Sequence, residues 1–146
     1  MNILVSACLL GVACRYDGKS KEVSKIKELL KDHNLIPICP EQLGGLPTPR
    51  VPSEKNGEKV INSEGIDVTL EYNKGAHEAL RIAKLFNCKV AILKAKSPSC
   101  GFGKIYDGTF SKNLILGNGV TAQVLIDNGI KVFTEDTFYK KKRDMF

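Results

Sequence analysis

Three cysteines stand in the same local setting. Cys8 follows the apolar run Ile3-Leu4-Val5, Cys39 follows Leu35 to Ile38, and Cys100 comes shortly after Val90 to Leu93. Each run reads as a strand, and the segment after each cysteine carries glycine or proline that stops it. The shared position is the signal: parallel strands would bring all three thiols to one sheet edge, where open α/β sheets bind ligands. Converging thiolates make either a zinc site with an open position or an iron-sulfur cluster with one iron lacking a protein ligand. Structural zinc takes four protein ligands, often from paired Cys-x-x-Cys knuckles, and this chain has no such pair. Separated thiolates therefore suit a cluster better, with zinc the alternative.

The neighbours of these cysteines carry acid-base chemistry. Glu41 lies two residues after Cys39 and is placed to act as a general base on water in a dry site; the plainer alternative is a salt-bridge carboxylate. Ser99, next to Cys100, is a hydrogen-bond donor or proton relay, or else a turn cap. Arg15 and Arg50 follow the first and second strands and suit bidentate binding of a phosphate, or plain solvation. Cys14 and Cys88 read as small buried hydrophobes. His33 and His77 stand alone on helices, and Gly101-Phe102-Gly103-Lys104 lacks the spacing of a phosphate-binding loop.

The elements that must hold these groups alternate in type. Asn2 to Ala7 reads as a strand covered on both faces, Ser20 to His33 as a surface helix, and Leu35 to Ile38 as a second strand. Residues 40 to 67 hold four of the six prolines and read mostly as one irregular loop, with a short hairpin arm at Lys59 to Asn62. Asn73 to Phe86 is helical with Asn73 as candidate N-cap, and Lys89 to Lys94 is a third strand. A short strand pair falls within 104 to 117. Val120 to Asp127 is a helix closed by Asn128-Gly129, Ile130 to Phe133 a fourth strand, and Thr134 to Tyr139 a last helical turn. Alternating strands and helices imply right-handed crossovers and a Rossmann-like, three-layer α/β domain around a mainly parallel sheet of about four or five strands.

Composition is consistent with that reading. The chain has 146 residues with 42% apolar content, enough for one domain with a single core, and the expectation is one domain over 1–146. Five cysteines, an odd number in a domain of this size, point to reduced thiols rather than a disulfide framework. No apolar stretch approaches membrane length and no leader pattern is present, so the expected location is the cytoplasm. The net charge of +6 favours an anionic partner, but Lys140-Lys141-Lys142-Arg143 supplies four of those charges in a basic tail over 140–146. Removing them leaves 6 − 4 = +2, which is no obvious nucleic-acid footprint.

Three stretches together resemble a known family, the small bacterial and archaeal domains that include the thiouracil desulfidases. They are Val5 to Gly11 with Cys14-Arg15-Tyr16-Asp17-Gly18, then Cys39-Pro40-Glu41-Gln42-Leu43-Gly44-Gly45-Leu46-Pro47-Thr48-Pro49-Arg50, then Lys96-Ser97-Pro98-Ser99-Cys100-Gly101. The resemblance runs in order to about residue 130 and shows no departure at Cys8, Cys39 or Cys100. It implies a 4Fe-4S cluster on those three cysteines, an open iron for the sulfur of a thiolated uracil, and Glu41 and Ser99 as catalytic. It implies hydrolytic, non-redox desulfuration of free thiouracil or of 4-thiouridine monophosphate; separately, the chain is expected to be a monomer or weak dimer. The competing readings are a cluster- or zinc-binding module that contacts RNA or senses redox state, and a desulfidase acting on intact tRNA.

Overall fold

The computed structural model describes residues 1–140; the rest of the basic tail, from Lys141 on, lies outside the described residues. Four strands, β1 (Asn2–Ser6), β2 (Asn34–Ile38), β5 (Val90–Leu93) and β8 (Lys131–Thr134), pair in parallel in the order β2-β1-β5-β8. Uncharged aliphatic runs make this possible, because both faces of a parallel sheet are covered. Ile3, Leu4 and Val5 are all 0% exposed.

Two helices, α3 (Thr69–Leu85) and α4 (Val120–Asp127), cover one face, where Ala79, Ala83 and Leu125 meet Leu4, Ala91 and Leu93. On the other face Ile26 and Leu29 pack on Ile3, Val5 and Ile92. The expected three-layer α/β architecture is therefore the observed one.

The elements differ from expectation in three places. The helix expected over Ser20 to His33 shrinks to α1 (Ser24–Lys27) followed by a 3-10 turn, Glu28–Lys31. Its first residues are extended, because the Lys21 and Val23 amides donate to the carbonyls of Cys8 and Leu9. The loop expected over 40 to 67 gains α2 (Pro40–Leu43), while the hairpin arm expected at Lys59 to Asn62 is present as β4 (Lys59–Asn62), antiparallel to β3 (Ser53–Asn56). Helix α3 starts at Thr69, four residues earlier than the Asn73 cap, because the Asp67 carboxylate accepts the Thr69 amide and fixes the turn there. The strand pair within 104 to 117 is β6 (Lys104–Tyr106) with β7 (Leu114–Leu116).

The sheet order reverses at β1, whose neighbours are β2 on one side and β5 on the other. Such a reversal opens a crevice at the carboxyl ends of the strands. Among the described residues no helix is long and apolar enough to cross a membrane.

Helix α2 is held by direct backbone contact. A Cβ at Gly44 would lie 2.0 Å from the Glu71 carbonyl oxygen, and one at Gly75 would lie 1.9 Å from that of Pro40. Both neighbours are main chain, so neither side chain can be accommodated by a rotamer change. Gly75→Ala is expected to cost about 2–3 kcal/mol as overpacking. The readout is a thermal unfolding midpoint lowered by roughly 5 °C or more.

Candidate metal centre

The carboxyl edge of the sheet opens on a cavity of about 500 Å³. Cys8 lies in a 3-10 turn, Ala7–Leu10, directly after β1; Cys39 caps the start of α2 after β2; Cys100 lies on the loop after β5. All three line the cavity. Cys8 and Cys100 are 7% and 4% exposed, and Cys39 is half-buried.

Cys14, set aside in the sequence as a core residue, joins them. The loop after Cys8 folds back through the Val12 amide, which donates to the Ala7 carbonyl, and brings the Cys14 thiol into hydrogen-bond contact with both Cys39 and Cys8. Its position, 25 residues before Cys39 opens the long middle motif, carries no sign of this; the Cys8-to-Cys14 spacing on one loop is the only clue. Cys88 is buried, away from the cavity.

The surroundings favour protonated thiols. The hydrogen bond with Cys39 pulls Cys14 down, but the bond to Cys8 and burial outweigh it, and the thiol is pushed up to about 11. The bond to Cys14 and then burial push Cys39 well above the ordinary thiol range. Burial, and after it the negative charge of Glu41, pushes Cys100 up to about 12. Three thiolates here need a compensating cation, and loading a metal must displace the thiol protons.

Glu41 lines the same cavity from α2. Its Oε2 accepts from Arg50 Nη2 at 2.5 Å, and the two side chains are 15% and 7% exposed. Arg50 was expected to face a substrate phosphate. Instead its guanidinium is used within the protein: Nη2 also donates to the Cys14 carbonyl at 3.1 Å, and Nη1 to Thr48 Oγ1 at 3.0 Å and the Pro47 carbonyl at 3.2 Å. The Arg50 amide donates to the Tyr16 carbonyl at 2.8 Å. Arg50 thus ties the loops after β1 and β2 together with Glu41 between them.

Arg15 lies as expected on the cavity wall, 24% exposed, with its guanidinium 5.7 Å from the Tyr16 ring and 3.8 Å from Asp17. Ser99 differs from expectation. It is fully buried and does not line the cavity; its hydroxyl meets Thr121 Oγ1 at 2.9 Å and hydrogen-bonds the Cys100 thiol. Helix α4 draws it inward, since the Thr121 and Ala122 amides both take the Ser99 carbonyl.

The cavity also recruits residues to which the sequence assigned no role. Tyr72, buried on α3, faces Glu41 and bonds the Ser53 side chain. Lys21, Lys96, Lys112 and Phe110 come from three different loops. His33 and His77 do not line it.

A family model described as 2-thiouracil desulfurase matches residues 3–137. The chain is similar to an uncharacterized protein of Bacillus subtilis (strain 168), YbbK, at 44% identity over 144 residues, covering 92% of this chain and 95% of that one. It is also similar to a solved structure, that of the [4Fe-4S]-dependent thiouracil desulfidase TudS, at 43% identity and a TM-score of 0.93, covering 98% of this chain and 96% of that one.

Proposed function

The chain belongs to the 2-thiouracil desulfurase family, and from that premise we propose that it removes sulfur from thiolated uracils. Water replaces the sulfur: the ring C=S and one water become C=O and hydrogen sulfide, with no net redox change. The observation that carries this reading is the ring of Cys8, Cys39 and Cys100 around one cavity beside Glu41.

The donor set fits a cluster. A polynuclear cluster takes its cysteines one per iron, and buried thiols are the soft donors it selects. Cys8, Cys39 and Cys100 would hold it. When bound, it supplies a thiophilic Lewis acid for the substrate's sulfur.

The chain's own groups supply the rest. The Glu41 carboxylate takes a proton from the attacking water, and Arg50 fixes that carboxylate through Nη2. Ser99 acts through the Cys100 sulfur, to which its hydroxyl is bonded. The walls are apolar and aromatic enough to limit competing water, with Ile38, Tyr72 and Phe110 among them.

Within this activity, 4-thiouridine monophosphate is the better substrate. Lys21, Lys96, Lys112 and Arg15 line the cavity, whereas its acidic lining residues are Glu41 and Glu54. Arg15→Ala is expected to raise KM about tenfold for the nucleotide, and far less for 2-thiouracil. The test of the whole reading is anaerobic reconstitution followed by assay of sulfide release from both compounds. A colourless, zinc-containing protein, or a loaded one that releases no sulfide, overturns it.

A further inference from the structure

Among the described residues four non-glycine residues have left-handed backbones: Asn87, Lys96, Phe110 and Lys112. Three of them, Lys96, Phe110 and Lys112, line the cavity. A large aromatic residue in this region is strained and persists only where its surroundings enforce it. At Phe110, with φ +58°, the enforcing group is the Glu54 side chain. The Glu54 carboxylate, 9% exposed on β3, accepts the amides of Gly108 at 3.0 Å and Phe110 at 3.1 Å through the same oxygen, Oε1. Lys55, the next residue, donates to the Asn118 carbonyl at 3.0 Å on the far side of the same hairpin. One hairpin thus clamps the tip of the other, and the clamped residue is still 39% exposed.

A buried carboxylate spent on a strained, half-open phenyl group is poor economy for packing alone. The geometry points to Phe110 as the platform on which the substrate's pyrimidine ring stacks, a specificity-determining residue aimed by Glu54. This rests on the proposed desulfidase reading and adds to it the group that recognises the ring. A flat unsaturated ring has a face that any aromatic side chain can take, whatever substituents it bears. Tyr106, at the end of β6, lines the cavity beside it.

The test uses the loaded full chain, with KM and kcat for 2-thiouracil and calorimetric binding of uracil. Phe110→Ala is expected to raise KM and weaken uracil binding about tenfold while kcat changes little, and Phe110→Trp restores both. Phe110→Gly loses binding equally but unfolds about 2–4 °C higher than Phe110→Ala, because glycine accepts the left-handed backbone. Glu54→Ala weakens binding in the same direction, and Phe110→Ala adds little in that background. Unchanged KM and uracil binding in the Ala and Gly variants, or fully additive losses with Glu54→Ala, overturn the platform. If the parent protein carries the cluster but releases no sulfide, the functional reading fails, and uracil calorimetry alone then decides the platform. A parent that neither turns over 2-thiouracil nor binds uracil overturns both.

Discussion

Replacing Cys39 by alanine is expected to give a colourless protein, with iron and acid-labile sulfide near zero after anaerobic reconstitution and no sulfide released from 2-thiouracil. Cys8→Ala and Cys100→Ala should do the same, since each sulfur stands alone at its own strand end and each takes one iron in the proposed arrangement. Cys14→Ser is the control that gives this prediction its force. Cys14 touches two of the three sulfurs and, at 2% exposed, is more buried than any of them, so proximity alone would make it an equal candidate. It shares a loop with Cys8, however, and adds no new strand end to the ring. Its serine variant is expected to keep the colour and most of the iron. Loss of iron in Cys14→Ser, with retention in Cys100→Ala, would move the cluster to Cys8, Cys14 and Cys39.

Glu41→Gln is expected to leave iron content and KM near the parent values and to lower kcat by about 10²–10⁴, the usual contribution of a positioned base. The amide keeps the size and the contact with Arg50 but cannot take a proton from water. Arg50→Lys separates position from chemistry. Lysine keeps a charge near Glu41, but it has no planar fork with which to hold the Cys14 carbonyl, Thr48 and Glu41 together. A kcat loss smaller than that of Glu41→Gln, on both 2-thiouracil and the nucleotide, is the expected result. A KM increase confined to the nucleotide would instead return Arg50 to the phosphate. Because the pair is largely buried, thermal midpoints must accompany both variants, since one member left without the other is destabilising.

The parallel core was legible because it is written in a local code. Runs such as Ile3-Leu4-Val5 and Val90 to Leu93 have no polar alternation, which only a doubly covered strand tolerates. The convergence of Cys8, Cys39 and Cys100 followed from that topology without any contact being known. What was not legible depends on long-range backbone partners. The extended start of the Ser20 to His33 segment is set by carbonyls of Cys8 and Leu9, more than ten residues earlier. Likewise the orientation of Ser99 is set by Thr121, and the engagement of Arg50 by Glu41 and Cys14. Phe110 carries no signal at all, because its backbone is imposed by Glu54 from another hairpin.

The strand order bears on how the proposed cluster would enter. Cys8 and Cys39 belong to the paired strands β1 and β2, which adjoin early in the chain, but Cys100 follows β5, on the opposite side of β1. In the proposed arrangement, a nascent or partly unfolded chain that has not docked β5 offers only two of the three ligand sulfurs, Cys8 and Cys39. If Cys8, Cys39 and Cys100 hold the proposed cluster, colour is expected to report a completed sheet, and a lesion that loosens β5 is expected to show first as iron lost.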